Sequence, residues 1–166
     1  MTDLADRELL ETAFRLLVAT LAGMAIGLNR DLHDKPVGMR TLGLVSLGSA
    51  LVVLSATGYG SLHYGEDAAS RIIQGILTGV GFLGAGVILH DASQKKIHGL
   101  TTASTVWIAA VLGITSGVGA WLVTIIGSAL TLALLVFGGP LERGLERLIR
   151  RREASPGERQ NDQNPR

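Results

Sequence analysis

Three long stretches without charge constrain this chain more than any other feature. Residues 41–62, 72–89 and 100–141 contain no Asp, Glu, Lys or Arg. A helix crosses the hydrocarbon of a bilayer in about 20 apolar residues. Each of the first two stretches is near that length. The third suffices for two crossings, with a break at Thr115-Ser116-Gly117-Val118-Gly119. A helix on a water-soluble core carries charges on its outer face, so such runs are not expected there. Charged residues make up 17% of the chain and are crowded into the ends and the connections. This segregation indicates an integral membrane protein.

The runs, with an earlier apolar stretch, divide the chain into five candidate spans at residues 9–28, 41–59, 71–89, 101–114 and 120–138. The first contains Glu11 and Arg15, so only its second half is cleanly apolar. Basic residues mark cytoplasmic loops. Arg30, Lys35 and Arg40 lie in the first connection, Lys95 and Lys96 in the third, and a run of arginines follows the last span. Basic and non-basic connections alternate, which an odd number of spans requires. The expected fold is an all-α, polytopic membrane helix bundle of about five transmembrane helices, with the N-terminus outside and the C-terminus in the cytoplasm. Residues 1–139 would form the transmembrane domain. Residues 140–154 would form a basic amphipathic cytoplasmic helix, with Leu141, Leu145 and Leu148 on one face and Arg143, Arg147, Arg150, Arg151 and Arg152 around it. Residues 155–166 are polar and expected to be disordered. The N-terminus is acidic and lacks the basic start of a cleavable signal. The chain has no cysteine, which removes disulfides, thiol catalysis and thiolate metal sites.

Glycine inside a helix costs about 1 kcal/mol relative to alanine, yet residues 72–89 read IIQGILTGVGFLGAGVIL. Lipid tails are as apolar as leucine, so membrane helices associate by close packing, which small residues one turn apart permit. Gly23 and Gly27 have that spacing, as do Gly75 and Gly79, Gly113 and Gly117, and Thr115 and Gly119. Gly79, Gly81, Gly84 and Gly86 spread over more than one face. The expectation is close packing, with the third segment as a central helix. A second use of Gly81–Gly86 is an unwound stretch whose carbonyls face an ion.

The polar residues fall into two sets. Arg15, inside the first span, is expected near the outer face with Asp67 and Arg71. Either the three form a functional cluster, or Arg15 snorkels to the interface while Asp67 and Arg71 pair along their helix. On the cytoplasmic side, Asn29, Arg30, Arg40 and Thr41 flank the first connection, and His98, Thr101 and Thr102 end the third. These residues either cap helix ends and dock the loops or form a contact site for a partner. Asp31, Asp34 and Asp91 carry the oxygen ligands magnesium prefers, but as loop carboxylates they are read as solvated, so no metal site is assigned. Trp107 and Trp121 suit packing or interfacial anchoring. No phosphate loop, Ser/His/Asp pattern or ligand cluster is visible. The chain is therefore expected to be no enzyme and to need no cofactor. The bilayer accounts for the basic residues without nucleic acid. The glycine-rich spans admit a homodimer or a contact with a larger membrane complex.

The ordered blocks IGLNRD, GMRTLGLVSLGSAL, RIIQGILTGVGFLGAGVIL and IHGLTTASTVWIAA resemble the membrane domain of the MgtC/SapB family, over about residues 16–115. The resemblance implies a bacterial inner-membrane protein of about five spans, linked to magnesium limitation and, in some members, to survival inside host cells. It implies a regulator of membrane machinery, including the F-type ATP synthase, with a small magnesium transporter or channel as the alternative. The sequence departs from the family pattern at Asn29, where glutamate is frequent, at His98, where arginine is frequent, and at Asp67, which stands four rather than three residues before Arg71. The best-known members also carry a soluble C-terminal domain, where this sequence continues only as a short tail.

Overall fold

The computed structural model describes residues 2–57, 66–91 and 96–153. Five helices are present: α1 (Thr2–Asp31), α2 (Met39–Thr57), α3 (Glu66–Gly86), α4 (Leu100–Gly117) and α5 (Trp121–Glu153). Between α3 and α4 lie two short antiparallel strands, β1 (Leu89–Asp91) and β2 (Lys96–His98), with Leu89 opposite His98 and Asp91 opposite Lys96. The helical bundle is as expected; the hairpin was not foreseen.

Four helices are long and apolar enough to cross a membrane, judged by length and composition: residues Asp6–Asp31, Met39–Ala56, Leu100–Gly117 and Trp121–Glu142. The protein is a polytopic membrane protein. α3 falls short of that standard for a chemical reason. Its first turns carry Glu66, Asp67 and Arg71, and the helix stops at Gly86. The apolar Val87, Ile88 and Leu89, counted with the third span in the sequence, leave the helix through a tight final turn, in which Val87 N–H donates to Gly84 O at 3.2 Å, and lead into β1.

Glycine sets the core. α1 and α2 run antiparallel and meet backbone to backbone. A Cβ on Gly27 would meet the Met39 amide nitrogen at 2.6 Å, and one on Gly23 would meet Ser46 Cβ at 2.8 Å. α4 runs parallel to α2 and closes on it in the same way: a Cβ on Gly113 would run into the Ser46 carbonyl, and one on Gly117 would meet Ala50 O at 3.1 Å. Ser46 is thus enclosed by α1 and α4. It is fully buried, and its hydroxyl donates to Ala19 O at 2.6 Å. The fully buried Ala19, Ile26, Leu42, Ala50, Ala109 and Ala110 fill the rest of this three-helix core.

The third segment is not the central helix. α3 packs on α4 and, less closely, on α2. A Cβ on Gly75, Gly79, Gly81 or Gly86 would find nothing within 4 Å, whereas Gly84 lies against Ala103. The centre is shared by α2 and α4: each meets the other, α1 and α3, and α4 also meets the start of α5. Its Ala, Gly, Ser and Thr residues are buried around most of its circumference. Small side chains on more than one face let neighbours approach from several sides; apart from Gly84, the α3 glycines remove side chains where no described residue comes within 4 Å.

Glycine also ends α4 on both sides. Gly99 precedes it at φ +92°, and Gly119 follows at φ +79°, a region side chains rarely enter. Ala120 N–H donates to Thr115 O at 2.9 Å and Gly119 N–H to Ser116 O at 3.0 Å, the paired bonds of a Schellman turn. α5 then doubles back, and its Thr124 hydroxyl bonds that of Thr115 at 2.8 Å. α5 continues through Pro140 to Glu153, so no break separates the expected span from the expected amphipathic helix. The chain falls into two compact units, Met1–Leu132 and Ala133–Arg166, with the boundary inside α5. The tail at residues 155–166 lies outside the described residues.

Candidate functional site at the Arg30 end of the bundle

The densest polar constellation sits where α1 ends, α2 begins and α4 begins. Arg30, in the last turn of α1, is only 3% exposed. Its Nε and Nη2 donate to Pro36 O at 3.1 and 3.0 Å, and Nη2 also donates to Thr102 Oγ1 at 2.5 Å. One guanidinium therefore ties the loop at residues 32–38 to the first turn of α4. The planar fork of arginine suits this two-ended grip, which lysine cannot reproduce. Thr102 is itself buried, and its carbonyl accepts from the Thr105 hydroxyl at 2.8 Å. Among the described residues no carboxylate forms an ion pair with Arg30; its acceptors are a carbonyl and a hydroxyl.

Asp31, the next residue, caps α2. Its carboxylate accepts the Met39 N–H at 2.9 Å, satisfying a donor that a helix start leaves open, and its negative charge suits the positive helix end. Gly38 leaves this cap its room: a Cβ at Gly38 would come within 2.7 Å of Asp31 Oδ2, and the carboxylate would have to shift. The loop between these anchors contains Asp34 at φ 51° and Val37 at φ 64°. A β-branched residue in that region is strained, and Arg30 and Asp31 bind the loop on both sides of it.

Of the residues singled out in this region, Arg30 and Thr102 are brought into contact. Asn29 is half-buried and its carbonyl meets His33 Nδ1 at 2.7 Å. Arg40, Thr41, His98 and Thr101 are exposed around the rim. Asp31 acts as a cap, a role that its reading as a solvated carboxylate missed; its place eight residues before the α2 start gave no short-range signal. Pro36 was missed as well, because its contribution is a backbone carbonyl. Among the described residues, no group of three His, Asp or Glu side chains is placed to hold a metal ion.

The opposite end of the core holds Arg15, which does not join Asp67 and Arg71 in the described contacts. Its Nη1 donates to Gly117 O at 2.9 Å and its Nε to Glu11 Oε1 at 3.1 Å, with Nη2 on the same Glu11 oxygen. Ser116, fully buried, returns a bond from its hydroxyl to Arg15 O at 2.8 Å. Arg15 thus caps the C-terminus of α4, where the helix dipole favours a cation. Trp121 stacks at a tilt on Phe14 at the same end, with ring centroids 5.2 Å apart. Asp67 and Arg71 are exposed on α3.

Along α3 and α4 runs an open apolar groove of about 560 Å³, floored by Gly81, Gly84 and Ala103 and walled by Val80, Ile88 and Trp107. Its walls offer close apolar contact and little charge. Nothing in it resembles an ion path built from exposed carbonyls, because α3 remains helical through Gly81 to Gly86.

The sequence profile of the MgtC family matches residues 16–152. Among curated relatives, Protein SrpB of Synechococcus elongatus is 48% identical over 132 residues, which cover 74% of this chain and 72% of SrpB. The Putative magnesium transporter YhiD of Escherichia coli K12 is 41% identical over 130 residues, covering 75% of this chain and 59% of YhiD. Protein MgtC of Salmonella typhimurium is 39% identical over 104 residues, covering 63% of this chain and 42% of MgtC. The match therefore spans less than two thirds of YhiD and of MgtC. No solved structure matches this chain significantly.

Proposed function

This chain belongs to the MgtC family, and from that premise we propose that it is a bacterial inner-membrane protein of magnesium homeostasis or stress that regulates other membrane machinery by contact. Relatives named MgtC and Putative magnesium transporter YhiD support the link to magnesium. The observation that carries the choice of regulator over carrier is the fate of the charges. The runs 41–62, 72–89 and 100–141 contain no carboxylate, whereas cation carriers place carboxylates within the membrane. Of the arginines within the α1 span, Arg15 is bound to the fold by Glu11 and Gly117 and Arg30 by Pro36 and Thr102.

In this reading the Arg30 end faces the cytoplasm, in keeping with Arg30, Lys35 and Arg40 at that end and the positive-inside rule. The rim residues Asn29, Arg40, Thr41, His98 and Thr101 offer the contact surface. Arg30 and Thr102 hold it in shape. The partner we propose is a multisubunit membrane complex of the F-type ATP synthase kind, and the chain itself has no catalytic role and needs no cofactor. The alternative, favoured by the name of YhiD, is a small magnesium transporter.

Magnesium flux into sealed vesicles containing the purified, folded chain separates the two. The expected result is a rate equal to that of empty vesicles. Saturable, protein-dependent uptake would replace the regulator with the transporter.

A further inference from the structure

The connection from α1 to α2 is held by hydrogen bonds rather than by packing. Residues 31–36 are all exposed. Two consecutive side chains at the end of α1 fix the connection from its two sides. Arg30 holds the carbonyl of Pro36 through Nε and Nη2, at 3.1 and 3.0 Å. Asp31 holds the Met39 N–H at 2.9 Å. Val37 lies between these anchors at φ 64°, where a β-branched residue is an outlier. The strain belongs to one anchor in particular. The φ angle of Val37 is the rotation about its N–Cα bond, and that nitrogen shares one rigid peptide plane with Pro36 O. Whatever holds Pro36 O therefore holds Val37 in the strained region. Strained backbone persists only where its surroundings over-determine it. Here they consist of one buried guanidinium, whose other acceptor is the Thr102 hydroxyl.

We propose that the Pro36–Val37 peptide is a two-position switch coupled to Arg30. In the held position, that of the structure, Pro36 O accepts from Arg30 and Val37 is strained. In the released position the peptide plane turns over, Val37 returns to negative φ, and Pro36 O leaves Arg30 for water at the exposed loop. The motion is local. Rotations on either side of the plane, at Pro36 ψ and Val37 φ, compensate each other, so Met39 stays on Asp31. Among the described residues the Val37 N–H has no acceptor, so the turn breaks nothing on that side. The two Arg30 bonds oppose it, and the strain at Val37 favours it; these terms are of similar size. In the released position Arg30 keeps only Thr102. The switch thus decides whether the buried cation at this end of the bundle is committed to the loop or open to another acceptor. It stands on the geometry of the loop alone and does not depend on a partner or on magnesium.

The test uses the full chain, labelled with 15N in lipid nanodiscs. Exchange on the microsecond-to-millisecond scale is read by relaxation dispersion at the residue-37 amide and at Arg30 Nε–H. In the wild type both signals are expected to exchange at one common rate. Glycine adopts positive φ without strain. Val37→Gly is therefore expected to lower the released population by roughly tenfold or more, and the exchange at Arg30 Nε–H is expected to vanish with it. Arg30→Gln removes the grip, and the Val37 signals are expected to move to the shifts of the wild type's minor position. Should Arg30→Gln fail to fold, Val37→Gly decides alone. A wild type without exchange at these two sites would overturn the proposal. So would a Val37 that keeps the shifts of positive φ in Arg30→Gln, or an exchange at Arg30 Nε–H that survives Val37→Gly.

Discussion

The α1–α2–α4 core and α3 use the same residue at the same spacing to opposite ends. Gly113 and Gly117 are buried against the backbone of α2, while Gly75 and Gly79 stand open. In the core, removing a side chain lets two backbones meet, and the fold depends on it. On α3 the removal leaves a bare surface, and within one chain it only lowers helix propensity. A small-xxx-small pattern therefore identifies a close-packing face without saying whether its partner lies in the same chain. What decides is the remainder of the helix. Around the glycines of α4 lie buried Ala, Ser and Thr; around those of α3 lie Arg71 and the projecting Phe82.

The strongest test of this contrast is Gly113→Leu. The side chain has no room beside Ser46, so the bundle should lose about 3 kcal/mol or more, read as a fall in unfolding midpoint in detergent micelles. A tolerated leucine would break the contrast outright. Next come the arginines. Arg30→Gln removes a charged donor from Pro36 O and the Thr102 hydroxyl and should cost about 2 kcal/mol, whereas Arg71→Gln should leave the monomer's midpoint unchanged. A double cycle of Arg30→Gln with Thr102→Val sharpens the point, because the double variant should lose less than the two single losses added together. The smallest effect has the opposite sign. Gly75→Ala should raise monomer stability by about 0.5–1 kcal/mol through helix propensity alone. A loss there, measured under monomeric conditions, would mean that α3 is packed more tightly than its surroundings show.

Much of the bundle was legible in the sequence because charge segregation is imposed by the solvent and each run carries its own signal. The helices fall close to the expected spans, and the pairs Gly23/Gly27 and Gly113/Gly117 lie at helix contacts, whereas Gly75/Gly79 does not. The place of α3 was not legible, because glycine density reports how near a neighbour can come and not whether one is there. Arg15 stands out in the sequence as a charge needing a partner. That partner proved to be Glu11 together with a carbonyl at the end of α4, and carbonyls carry no mark in a sequence. The same blindness hid Pro36 from the reading of Arg30. The β1–β2 hairpin escaped notice because three-residue strands are too short for an alternating pattern to emerge.

The enclosure of Ser46 also imposes an order on assembly. Ribosomes deliver α1 and α2 first, and these two already hold each other through Gly23, Gly27, Met39 and Ser46. The seat for Gly113 on the far side of Ser46 then waits for a helix that has not yet been made. α3 is delivered in between and must stand aside. That seat is lined by the backbone of Ser46 and Ala50, which Gly113 and Gly117 of α4 approach directly, so the core is complete only when α4 has been made.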